Sequence, residues 1–136
     1  MNKKVINDEI QYAYNALISA KIVSDSNKIN KAYRGQISTF GAAVQMGSLK
    51  AAIAFFMKDA SGSGKNGQEV HRSKILDAIL CILKDMGKVD ENTKGLFAYV
   101  SNKVSNNEED ACREEIINAS IALKLAMNLF ELSDGR

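Results

Sequence analysis

Residues 26–60 read SNKINKAYRGQISTFGAAVQMGSLKAAIAFFMKDA, and the rest of the chain is organised around them. With Lys28 as the start of a helix, a turn of about 3.6 residues places Ile29, Tyr33, Gln36, Ile37, Phe40, Ala43 and Val44 on one arc, the glutamine being its one polar member. Lys28, Lys31 and Arg34 fall on the opposite arc, followed by Ser38 and Gln45. Such a helix buries Ile37 and Phe40 and holds three cations in solvent, one turn apart. Past Met46 the phase breaks: Leu49 would land on the charged side, yet Leu49, Ala52, Ile53, Phe56 and Ala60 restart an apolar stripe. The pattern predicts two helices meeting near Gly47, with glycine as the stop and Ser48 as the next N-cap.

Working outward in both directions, the pattern stays helical. Ile6, Ile10, Ala13, Leu17 and Ala20 recur at helical spacing, widened by Val5, Tyr12 and Ala16, and predict a first helix over Lys3 to Val23 with Asn2 as its cap. Ser24 to Asn27 then make a turn that offers a cap to the helix beginning at Lys28. A fourth helix is predicted over 69–86 and stopped by Gly87, a shorter one over Thr93 to Val104, and a last one over about 107–132. Ser105 and Glu108 have the spacing of a capping box for that last helix, and Glu108, Glu109 and Asp110 suit its positive end. Its second half is apolar over more than half the circumference, which predicts a central place in the bundle. Proline is absent and no sustained alternation of period two appears. The expectation is an all-α fold: a single compact bundle of about five to six helices, forming one domain over 1–136.

Composition narrows the function classes. Hydrophobic residues make up 46% and charged residues 25%, as in ordinary soluble proteins, and no window is apolar enough to cross a bilayer. The net charge of +2 conceals an asymmetry, since residues 1–75 carry eleven Lys/Arg against five Asp/Glu and residues 76–136 carry seven against eleven. A basic half can face a polyanion and an acidic half a basic neighbour, although both patterns also serve plain solvation. Cys81 and Cys112 have neither CxxC spacing nor a histidine cluster, and are expected as reduced packing residues. GSGK within 61–68 has Asp59 and Asn66 where a phosphate-binding loop needs glycine and Ser/Thr, so a plain inter-helix loop is expected. His71 is the single histidine, and one histidine alone makes neither a metal site nor a catalytic pair. No catalytic residue, metal, cofactor or small-molecule substrate is therefore predicted.

The run YRGQISTFGAAVQMGSLKAAIAFF resembles the small-subunit family of the Cmr-type (type III-B) CRISPR effector complexes. Tyr33, Arg34, Leu49, Ala52, Ala54 and Phe55 carry the likeness. RSKILDAILCILK (72–84) and EEIINASIALKLAMNLFEL (114–132) resemble the later helices of bacterial members. Reduced cysteines and the lack of an apolar span lead to the expectation of a cytoplasmic protein, and the resemblance implies a non-catalytic all-α subunit that stacks in several copies along the crRNA-carrying backbone and helps form the groove where crRNA and target RNA pair. It implies other Cmr subunits and further copies of itself as partners, with no membrane contact. Under that reading Lys28, Lys31, Arg34 and Lys50 are the expected RNA-binding residues, while Tyr33, Leu49 and Phe55 belong to the fold. Two rival readings remain from the residues themselves: a helical adaptor that contacts only protein, and a helix-turn-helix DNA regulator whose second helix has few groups for reading bases.

Overall fold

Asn2 caps α1 (Lys3–Ser19) as its side chain predicts, its Oδ1 accepting from the Val5 amide at 3.2 Å. The computed structural model describes residues 2–58 and 71–133, so the glycine-rich loop over 61–68 lies outside the described residues. After α1 come β1 (Lys28–Asn30), α2 (Ala32–Met46), α3 (Leu49–Met57), α4 (Ser73–Asp85), α5 (Leu96–Ser105) and α6 (Glu109–Ala126). A 3-10 turn over Met127–Leu129 then leads into β2 (Glu131–Ser133). The fold is a mostly α-helical bundle of six helices among the described residues, with one two-stranded parallel sheet at its edge.

The break at Gly47 is built as the phase shift requires. Ser48 Oγ accepts from the Ala51 amide at 3.2 Å and caps α3. A Cβ at Gly47 would sit 3.2 Å from the Ala43 carbonyl, tighter than ordinary packing allows, so glycine lets the two helices turn closely there. Tyr33, Ile37, Phe40 and Val44 of α2 are buried, as are Leu49, Ala52, Ile53 and Phe56 of α3, and the rings of Phe40 and Phe56 meet edge to face at 5.0 Å.

The helix predicted from Lys28 is instead a strand followed by a later helix start. Lys28, Ile29 and Asn30 pair in parallel with Glu131, Leu132 and Ser133, and Val23 bridges Ile29 from the other side. Asn30 Oδ1 then accepts from the Ala32 amide at 2.9 Å, so the first amide of α2 is held by Asn30, one residue ahead of the N-cap Lys31, and not by the 24–27 turn. Ile29 is wholly buried in either reading, but three residues are too few to display alternation, so helical phase alone could not separate them. For the same reason the last helix ends at Ala126, not near residue 132. The expected capping box is also absent: Ser105 closes α5, while Glu108 makes no side-chain cap bond and pairs with Lys103 at 2.9 Å.

Three helices end in the same way. At α4, Gly87 takes φ +75° and the amides of Gly87 and Lys88 return to the carbonyls of Lys84 and Leu83. At α5, Asn107 takes φ +59°, with the amides of Asn107 and Glu108 on Val104 and Lys103. At α1 the left-handed residue is Lys21, φ +61°, with Lys21 and Ile22 bonded back to Ile18 and Leu17. That motif ends α1 at Ser19 and not at the predicted Val23, and it tucks buried Ile22 against buried Leu17. A lysine in this backbone region is strained by its Cβ. Lys21→Gly is expected to stabilise the chain by about 0.5–1 kcal/mol in urea titrations, the relief exceeding the added freedom of the unfolded chain.

α6 occupies the centre, packed against α1, α2, α4 and α5. Ala119, Ala122 and Ala126 are fully buried, and their small side chains let the neighbouring helices approach. Ile116, Leu123 and Met127 fill the core beside them, whereas Leu125 and Leu129 of the predicted apolar face are exposed. Arg113 ties this helix to the α2–α3 corner: its Nη1 donates to the carbonyls of Val44 and Gly47, and its Nη2 to Glu109 at 2.5 Å.

Candidate nucleic-acid interface

From residue 26 to residue 58 the chain carries Lys28, Lys31, Arg34, Lys50 and Lys58 and no carboxylate, so this stretch of sequence is purely cationic. Lys28 stands on β1, not on a helix, and its Nζ lies 4.0 Å from Glu131 Oε1. Both side chains are largely in solvent, at 43% and 71% exposure, where such a pair contributes little and is readily exchanged for another anion. Lys31 is the residue before α2, exposed, with its amide donating to the Ser133 carbonyl at 2.9 Å. Arg34 lies in the first turn of α2, half-buried, with no ion pair among the described residues.

Lys31 and Arg34 are three apart and share one side of the helix start, with Lys28 arriving from the adjoining strand. No acidic residue occupies the first turn of α2. Two cations therefore sit at the positive end of a fifteen-residue helix, an arrangement unfavourable for the isolated helix and suited to holding an anion. Lys50 does not join them. It lies in the first turn of α3, beyond the far end of α2 and so about 22 Å along its axis, with Nζ 5.8 Å from the centre of the Phe97 ring.

Lys124 replaces Lys50 in that grouping, and the sequence reading missed it. Its Nζ crosses from α6 to donate to Ser38 Oγ at 2.6 Å, while the same hydroxyl donates to the Arg34 carbonyl at 3.2 Å. Arg34 and Ser38 are one turn apart, so Lys124 lengthens the cationic edge along α2. Beside it an open groove of about 310 Å³ between α2 and α6 is lined by buried Ile37 and Ser120 and by exposed Ser38, Ala42 and Gln45, with Lys124 among its lining residues. Nothing in residues 114–132 announces this, because a lysine in an apolar run of the acidic half reads as simple solvation until the α2–α6 packing is known.

The aromatic residue assigned to the fold, Phe55, is the clearest departure: it is 60% exposed, while its neighbour Phe56 is buried. Tyr33 and Leu49 are in the core as expected, and Tyr33 Oη accepts from the His71 amide at 3.1 Å. Cys81 and Cys112 are free thiols, Cys112 buried, and burial pushes its thiol up to about 11.

A separate cluster of ionisable groups joins α1, α5, α6 and the α4–α5 connection. Glu115 Oε1 accepts from the Tyr99 hydroxyl at 2.7 Å, and Glu115 Oε2 lies 3.3 Å from Lys88 Nζ. Glu9 faces Lys88 and Glu115 from α1, 1% exposed, with its Oε2 lacking any hydrogen-bond partner. Burial and the bond to Glu115 both push the Tyr99 phenol upward. Among the described residues no group of three His, Cys, Asp or Glu side chains is placed to hold a metal, and no helix is long and apolar enough to cross a membrane.

Comparison with known proteins adds a family. The model for a CRISPR-associated protein family, Cas_Cmr5, matches residues 8–124. No curated protein and no solved structure matches the chain.

Proposed function

Because the chain belongs to the Cas_Cmr5 family of CRISPR-associated proteins, we propose that it is the non-catalytic small subunit of a Cmr-type (type III-B) RNA-guided effector complex in the cytoplasm. Copies of it stack with the other subunits along the crRNA-carrying backbone and help form the groove in which crRNA and target RNA pair during antiviral defence. Base pairing by the guide supplies sequence discrimination, and this chain supplies backbone contact and position. The observation that carries the reading is the start of α2, whose first turn holds no acidic residue, with Arg34 one turn from the Ser38 hydroxyl that Lys124 reaches from α6. Phosphates held there displace counterions and satisfy the positive end of α2 without reading bases.

Lys31, Arg34 and Lys124 changed together to glutamate are expected to weaken RNA retention by the assembled complex at least about tenfold. The log–log dependence of affinity on salt should flatten by about 0.7–0.9 for each phosphate contact removed, with far-UV circular dichroism unchanged. Unaltered retention by a folded variant rejects the assignment. Ribonuclease separates this function from that of a protein-only adaptor: the guide complex yields short RNAs of uniform length, whereas an adaptor's assembly survives with the same partners and no RNA.

A further inference from the structure

The inward side of α3 is fully occupied by Leu49, Ala52, Ile53 and Phe56, which leaves Phe55 projecting from the bundle with 60% of its surface in water. It does not project loosely. Arg72, at the start of α4, lays its guanidinium carbon 4.3 Å from the centre of the Phe55 ring, and its Nε donates to the Lys58 carbonyl at 2.6 Å. The Phe56 ring meets Phe55 edge-on at 5.8 Å. An aromatic ring is thus braced from beneath by a core phenylalanine and on one side by an anchored cation, while much of its area stays open.

The charges around the ring favour one class of occupant. Lys58 lies three residues on and Arg72 against the ring, with no carboxylate on either α2 or α3. An apolar side chain from a protein partner would use the ring but leave those cations with nothing to meet. A nucleotide offers both parts, a flat π face for the ring or guanidinium and a phosphate for the lysine. We infer that Phe55 and Arg72 form a stacking platform for an unpaired RNA base, with Lys58 beside it for the phosphate. This rests on the RNA-contacting role proposed above and extends it from the α2 start to the outer face of α3.

The test uses the full-length chain, alone and in the assembled complex, with single-stranded RNA carrying 2-aminopurine, whose fluorescence falls when it stacks. Wild type should quench on binding, and Phe55→Trp should keep the quenching. Phe55→Leu, which preserves apolar area on an exposed position, should lose it and weaken binding by roughly five- to a hundredfold. Equal quenching and affinity in Phe55→Leu overturn the platform while leaving the backbone-contact reading standing. No RNA binding by wild type in either form overturns both. If Phe55→Leu releases protein partners or lowers self-association while RNA affinity holds, the ring is a protein anchor and the inference fails.

Discussion

Glu9→Gln is expected to stabilise the chain by about 3 kcal/mol at pH 8 and by no more than about 1 kcal/mol at pH 5. Burial raises the Glu9 carboxyl to about 7, the Lys88 ammonium partly offsetting this and the Glu115 carboxylate adding to it. The folded state therefore binds a proton that the unfolded chain has already released above pH 4.5, the ordinary value. Between 4.5 and about 7 the native form holds more protons, so stability falls as pH rises through that window and stays low above it. A glutamine keeps the shape and removes the charge, so the variant's stability should lose this slope. Urea titrations at half-unit steps from pH 5 to pH 8 measure it. A wild-type profile that is flat or rises across the window would show that Glu9 is ionised and compensated in place, against its orphaned Oε2.

Arg113→Met is expected to cost about 3 kcal/mol. The guanidinium closes three contacts at once, to the Val44 and Gly47 carbonyls and to Glu109, and its side chain is only 20% exposed. Methionine retains the stem's packing but strands two carbonyls at the end of α2, where no helical partner exists. Arg113→Lys should recover only part of the loss, because an ammonium cannot span both carbonyls and the carboxylate in one plane. Equilibrium denaturation decides it: a loss below about 0.5 kcal/mol would mean that water serves those carbonyls as well as the arginine does.

The corner that Arg113 braces is also where the sequence was most legible. A phase break, a glycine and a serine cap all point to Gly47 and Ser48, and each acts locally, within a turn of its own position. The core arc of α2 was readable for the same reason, as was the stop at Gly87, where glycine advertises the left-handed backbone. Lys21 adopts that backbone without advertising it, because buried Ile22 and Leu17 enforce it from outside. What the sequence hid was pairing between distant segments. Lys28 to Asn30 carry an ambiguous three-residue pattern, and only Glu131 to Ser133 decide it. Lys124 likewise acquires meaning only beside Ser38. Half of the predicted cationic edge, Lys31 and Arg34, survives as a helix start, Lys28 reaches it from a strand, and Lys50 belongs elsewhere.

The two-stranded ribbon sets an order of assembly. Its partners are separated by about a hundred residues, so the closure entropy of that span opposes their meeting until the helices have drawn the two segments together. A bundle caught before that moment would have α2 in place while Lys28 and Lys31 still swing on an untethered lead. In a refolding time course, protection of the Lys31 amide, which Ser133 accepts, should lag behind protection of the amides inside α2.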